Sequence, residues 1–477
     1  MARLLGANIV ADCFRGALTA TLLPIAPMQG DMLPAVLIPL HRHWRSVGVA
    51  PEYFTAIIAL FGTISIIITA IVFIFASQWV DIVVGGFGSD AHDLAIRFVR
   101  VMAMAMPAST LSACMSSIEI SIGRSRITMI RASMSNIGVI IGIIIMSYTG
   151  EAIAVAWGYV IAFNLVMLYG GTKLVHDGEL KFSAIQWHNL KPAVNEFYRR
   201  MKPLFIQPLA DQSNILFERY LGSTFATGTL ASLDYARTLT ETALYLVSQP
   251  LGYVMLSQPA AKSHDVHSRV KAVSWPLLAL MLPATLFLCV FARDIVSLVF
   301  HRGQFQDHAI YLTSNALRCI SLGLWASTLG WVLIRMINAQ SRNGTAARII
   351  FMAYMANITT NLVLWLATSV DISGLGLGEA TRGLVMLIGA STMLGCGRLI
   401  LRQVLQLTPI LMMLLMGSIL IFHTIDNEVL RLLSGAALYA IGTSIGLRNE
   451  IIRSLSSYKI SRQARHQSVH SIARHEL

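Results

Sequence analysis

Three short charge patterns sit inside otherwise apolar stretches of the chain. In DYARTLTE (234–241), Asp234, Arg237 and Glu241 are spaced by three and then four residues. On a helix that spacing makes one charged stripe. Asp211, Asn214 and Glu218 repeat it in ADQSNILFER (210–219), with Arg219 alongside, and Asp12 and Arg15 form a smaller pair in ADCFR (11–15). Guanidinium groups bind phosphate through a planar fork of N–H donors. Carboxylates can hold those cations or take up a coupling ion. The plainer reading of the same residues is a set of salt bridges that pin helices together.

Little else in the chain is equipped for chemistry. It shows no nucleophile–base pair, metal-ligand spacing or phosphate-binding loop, so neither catalysis nor a cofactor is expected. Cys13, Cys114, Cys289, Cys319 and Cys396 stand singly in apolar surroundings and read as packing residues. GLGLG (374–378) opens an apolar run with no soluble strand before it, which argues against a nucleotide site. His41-Arg42-His43 lacks metal spacing and reads as part of a solvated turn. No nucleic-acid partner is expected.

The elements that must hold the charges are membrane helices. Of 477 residues, 55% are hydrophobic and 13% charged, and the mean hydropathy is +0.64. A soluble domain usually carries about 25% charged residues. Apolar windows of about 20 residues mark thirteen spans, near 8–40, 53–83, 94–122, 127–148, 152–172, 203–222, 228–256, 274–300, 308–338, 349–369, 374–397, 407–424 and 428–447. The first is interrupted by Pro24, Pro27, Gly30 and Pro34, which a buried span tolerates better than a lipid-facing one. The fold class is all-α and polytopic.

Lysine and arginine set the orientation. Alternate connections hold Arg42 and Arg45; Arg124, Arg126 and Arg131; six cations between 173 and 202; Lys262, Arg269 and Lys271; Arg342 and Arg348; and Arg398 and Arg402. The intervening connections hold Arg302 alone. The rich side is cytoplasmic, and with it the C-terminus. The basic tail, ending SSYKISRQARHQSVHSIARHEL, anchors that topology or lies on anionic lipid. Arg15, Arg219 and Arg237 instead lie beside acids within spans, where ionisable groups are functional candidates.

SRITMIRASMSNI (125–137) is echoed six spans later by SRNGTAARIIFMAYMANI (341–358). An even offset means a parallel repeat. Beyond this, ARLLGANIVADCF (2–14) resembles an A-R-x-F-G-x-G-x-x-x-D-A-F segment. TFATGTLASLDYARTLTE (224–241) resembles a small-x-G-x-x-x-x-x-x-Y-A-x-R-L stretch, and SLVFHRGQF (297–305) resembles S-L-F-x-x-G-x-F. Together these identify the chain as similar to the MurJ/MviN lipid II flippases of the MOP exporter superfamily.

The resemblance implies two six-helix lobes around a cavity that opens alternately to either side of a bacterial inner membrane, plus two C-terminal helices. The lobes map to 1–190, lacking the family's first helix, and 191–403, followed by added helices at 404–447 and a basic tail at 448–477. The cargo implied is a lipid-diphosphate-linked saccharide of peptidoglycan synthesis. The membrane potential, H+ or Na+ would drive transport, with membrane lipids and cell-envelope synthesis proteins as partners. Arg15, Arg219, Arg237 and Thr238 are the expected substrate-binding residues. Asp12, Asp211, Glu218, Asp234 and Glu241 are the expected charge partners or ion-coupling residues. Asp12 and Glu241 match the family, whereas Ile25 and Thr238 stand where arginines are expected and Gly30-Asp31 inverts an acid–glycine pair. Those departures keep open an exopolysaccharide repeat-unit flippase, a drug or cation antiporter of the same superfamily, and an inactive scaffold paralogue.

Overall fold

Apolar segments in lipid must satisfy every backbone N–H and C=O internally, and helices do so within one segment. The computed structural model describes residues 8–29, 32–181, 187–202, 206–248, 250–252, 263–340, 342–367 and 372–448. Among them the regular structure is helical. The first half contains α1 (Ile9–Leu22), α2 (Met32–Val47), α3 (Ala50–Ile74), α4 (Ala76–Val84), α5 (Ser89–Ala103), α6 (Met106–Ser121), α7 (Arg126–Thr149), α8 (Ala154–His176) and α9 (Trp187–Met201). Then follow α10 (Ile206–Ser223), α11 (Thr229–Ala243), α12 (Ser263–Val290), α13 (Ala292–Phe300), α14 (Asp307–Leu322), α15 (Leu324–Ala339), α16 (Asn343–Ala367), α17 (Ile372–Met393) and α18 (Gly397–Thr424). The last is α19 (Glu428–Arg448). Gly30-Asp31, the first residues of the ARLLGANIVADCF segment and the tail from residue 449 lie outside the described residues.

Each of the thirteen expected spans contains helix among its described residues, but fewer qualify as membrane spans by length and composition. Eight helices are long and apolar enough among the described residues, and two bent pairs, α5–α6 at 47° and α14–α15 at 46°, bring the number to ten. The shortfall falls on α10, α11 and α17. The first two carry Asp211, Glu218 and Arg219, and Asp234, Arg237 and Glu241. Two of the three helices that hold the charge patterns therefore fall short of the test, whereas α1, with Asp12 and Arg15, passes it.

The contacts divide the chain into two compact units. The first comprises Met1–Arg237, Val299–Ala316 and Ile350–Gly378; the second comprises Thr238–Leu298, Leu317–Ile349 and Glu379–Leu477. In the first unit, Pro24 and Pro27 shape a 3-10 helix, Leu23–Met28, that continues α1. The tightest crossing joins α7 to α8, where a Cβ on Gly138 would fall 2.3 Å from the Gly158 carbonyl oxygen. Small residues of this kind let helix backbones meet in a membrane. In the second unit Arg431 pairs with both oxygens of Asp294, at 2.8 and 2.6 Å. Phe287, Phe291, Phe422 and Tyr439 pack around that end.

Three readings of the loops are corrected. The stretch between 173 and 202 is not one connection: α8 continues to His176, and α9 is an amphipathic helix that buries Ala193, Phe197 and Met201. Arg131 lies within α7 rather than in a loop. HRHWR forms the last turns of α2 rather than a solvated turn. Its 41 and 44 positions share one face, and both His41 and Trp44 are fully buried. Trp44 Nε1 donates to Glu196 on α9 at 2.9 Å. His41 Nδ1 lies 2.7 Å from Ser121 Oγ, and its Nε2 lies 3.3 Å from Glu179.

Burial, and secondarily the Arg45 charge, push His41 down to about 4. A histidine with a depressed folded pKa favours folding while neutral and loses that contribution as it is forced to charge. Stability is therefore expected to hold above the ordinary histidine pKa of about 6.5 and to fall between there and about pH 4, by on the order of 3 kcal/mol. Thermal melts of the detergent-solubilised protein across that range check this, with His41→Phe expected to flatten the slope.

Candidate functional site

The site is assembled in the first unit around the start of α11. Gly228 adopts a left-handed backbone (φ 92°) and turns the chain into the helix. The first amides of a helix lack intrahelical partners and carry the positive end of its dipole. Here the partner comes from far away in sequence. Both oxygens of Asp12, on α1, accept from this end, from Gly228 N at 2.5 Å and Ala231 N at 2.8 Å. Asp12 thus caps a helix more than 200 residues downstream, and its carboxylate is engaged by backbone rather than by an arginine.

One turn further, Asp234 is buried between two cations. Arg219 Nη2 reaches its two oxygens at 2.8 and 3.0 Å, and Arg15 Nε lies 3.5 Å away. Arg15 also lies over the ring of Tyr235, 5.9 Å from its centroid. Tyr235 packs on Phe300 and Phe305, at 5.2 and 5.5 Å between centroids. The three segments ADCFR, DYAR and SLVFHRGQF therefore meet at one place.

The second pair lies along α10. Glu218 is almost wholly buried and accepts from Arg237 Nη2, from Asn357 Nδ2 at 3.0 Å and from Asn214 Nδ2 at 3.3 Å. Asn361 Nδ2 in turn donates to Asn357 Oδ1 at 2.8 Å. Gly378 makes room for these amides, since a Cβ there would fall within 2.2 Å of both carboxamide oxygens. GLGLG is thus a helical segment of α17 that gives space to its neighbour. Asn357 and Asn361 were not anticipated from the sequence; their cue was two amides at i and i+4 in an apolar span.

Of the nine expected residues, the structure gathers six: Asp12, Arg15, Glu218, Arg219, Asp234 and Arg237. Two of the carboxylates, Asp234 and Glu218, are met by the three guanidinium groups, and the third, Asp12, by backbone amides. Arg219 keeps Nε and Nη1 buried without an acceptor among the described residues. The other three are placed differently. Asp211 is half-buried, touches Gln212 Nε2 at 3.4 Å and forms no ion pair among the described residues. Thr238 and Glu241 are exposed on α11. No group of three or more His, Cys, Asp or Glu side chains among the described residues could hold a metal ion.

Many long apolar helices with charge pairs buried among them mark a polytopic membrane protein. The fold is that of a solved structure titled "Lipid II flippase MurJ, inward closed conformation", with a TM-score of 0.80 over 94% of this chain and 95% of that one, at 17% identity. An inward-facing multidrug resistance MATE family transporter of the MOP superfamily shares it at a TM-score of 0.66, covering 83% of this chain and 95% of that one at 13% identity. The family model "Lipid II flippase MurJ" matches residues 1–395, and the chain belongs to that family. Probable lipid II flippases MurJ of Rickettsia prowazekii and Thermotoga maritima are 23% and 19% identical to it. These alignments cover 73% of the chain and 70% of the relative in the first case, and 80% and 77% in the second.

The paired geometry gives a graded expectation for stability. Asp234→Asn leaves Arg15 and Arg219 buried against each other and should cost about 3–5 kcal/mol. Asp12→Ala removes a cap and should cost about 0.5–2 kcal/mol. Asp211→Asn should leave the thermal midpoint in detergent unchanged; a drop as large as that of Asp234→Asn would refute the pairing.

Proposed function

We propose that the protein flips a lipid-diphosphate-linked saccharide, lipid II in peptidoglycan synthesis, across the bacterial inner membrane by alternating access, with its C-terminus in the cytoplasm. In a chain of this family, the convergence of Arg15 and Arg219 on the single carboxylate of Asp234 carries the reading. A diphosphate cannot cross hydrocarbon with its charge exposed. Arginines already desolvated and aimed inward offer it bidentate hydrogen bonds in place of water. Each arginine is paired with a carboxylate at rest, so it is stable without cargo. When a diphosphate arrives it competes with Asp234 for Arg15 and Arg219, and the open Nε and Nη1 donors of Arg219 add to its hold. Release returns both cations to Asp234. The same pairs therefore serve as structural salt bridges in one state and as a binding site in the other.

Complementation in a cell depleted of its lipid II flippase tests this. The wild-type chain is expected to restore growth and the appearance of lipid II on the outer face. Arg219→Ala and Arg237→Ala should each lower that appearance about tenfold per inserted molecule, the loss expected for removing a charged hydrogen bond of roughly 1.5 kcal/mol, and each also lowers thermal stability because a buried carboxylate loses its partner. Absence of rescue by membrane-inserted wild type would exclude lipid II as cargo. Rescue that survives Arg15→Ala and Arg219→Ala together would remove the site assignment.

A further inference from the structure

Arg131 departs from the pattern of paired charges. Arg15, Arg219 and Arg237 each meet a carboxylate, and so does Arg431 in the other unit. Arg131 forms no ion pair among the described residues. The ionisable groups facing it are Tyr159 and Cys114, a phenol and a thiol. Its Nε is buried and has no acceptor among the described residues. It stands five residues into α7, about 7.5 Å from the helix start that the lysine and arginine pattern assigns to the cytoplasm.

The side chain is nevertheless held in place. Nη2 donates to Gln29 Oε1 at 3.1 Å, and the Phe163 ring centroid lies 5.7 Å from Cζ. Gln29 is fixed in turn by donating Nε2 to Ser109 Oγ at 2.7 Å and to Thr110 Oγ1 at 3.3 Å, both on α6. A guanidinium oriented by a neutral amide, and flanked by an aromatic ring, keeps its whole positive charge. A cation withdrawn from water with no carboxylate against it among the described residues favours whatever anion can reach it. At the boundary of a membrane the anions on offer are lipid phosphates. None of these residues belongs to the Asp234 and Glu218 clusters.

Building on the function proposed above, we infer that Arg131, positioned by Gln29, is a second phosphate-binding station of the first unit, one that takes the diphosphate of the lipid-linked substrate. Ordinary phospholipid headgroups share the chemistry, and the test separates the two. The full chain is placed in phosphatidylcholine nanodiscs and titrated with farnesyl diphosphate, with binding read from intrinsic tryptophan fluorescence. Arg131→Met should weaken binding about tenfold, and Arg131→Lys, which keeps the charge but loses the fork, should weaken it about threefold. Thermal midpoints should stay near that of wild type. Equal affinities for wild type and Arg131→Met would overturn the inference. So would displacement of the probe from wild type by phosphatidylglycerol in the disc, which would make Arg131 a reader of bulk anionic lipid. Should Arg131→Met fail to fold, Arg131→Lys and Gln29→Leu take its place, and unchanged affinity in both would overturn the inference. Arg131-dependent binding by a chain that fails to rescue flippase depletion would sink the transport reading and leave the station standing.

Discussion

A buried carboxylate flanked by two arginines is an unusual thing to keep inside an apolar bundle, and much of the first unit is arranged around it. Taking one ion out of water costs several kcal/mol even after relaxation, and the partner returns that cost only when geometry is good. Asp234 therefore has to be met from both sides, by Arg219 and by Arg15. Glu218 has to be met by Arg237 and two carboxamides. These requirements tie α1, α10, α11 and α16 to one another with directional contacts that lipid-like packing alone would not supply. Tyr235 adds the apolar side of the same junction by resting on Phe300 and Phe305.

The polar helices and the apolar ones divide the labour. α3, α7 and α18 expose long aliphatic surfaces, with Ile66, Ile74, Ile140, Met416 and Leu420 among the exposed residues. They make the molecule soluble in lipid. α10 and α11 carry their charges in pairs matched inside the unit. Hydropathy separates the lipid-facing wall from the working interior.

How much of this was legible in the sequence depends on the kind of interaction. Each expected span was found as helix because long apolar windows leave few alternatives in lipid. The end of α2 was missed because HRHWR is basic, and charge was taken for exposure, although the 41 and 44 positions face inward. The partner of Asp12 is a pair of backbone amides, which no side-chain pattern reveals. Asn357 and Asn361 are uncharged, so they passed as ordinary residues of an apolar run. The stripe of Asp234, Arg237 and Glu241 was real as a spacing. Spacing, however, fixes the face of a helix and not how deeply each turn is covered, and Glu241 is exposed.

The contact between Asp12 and the start of α11 also has a history in time. The two ends are separated by 216 residues, so at a translation rate of about 5–20 residues per second Asp12 exists for roughly 10 to 40 s before its amides do. Throughout that interval α1 carries a carboxylate with no partner. The cap is thus closed only when α11 emerges and its N–H groups meet an acid made long before them.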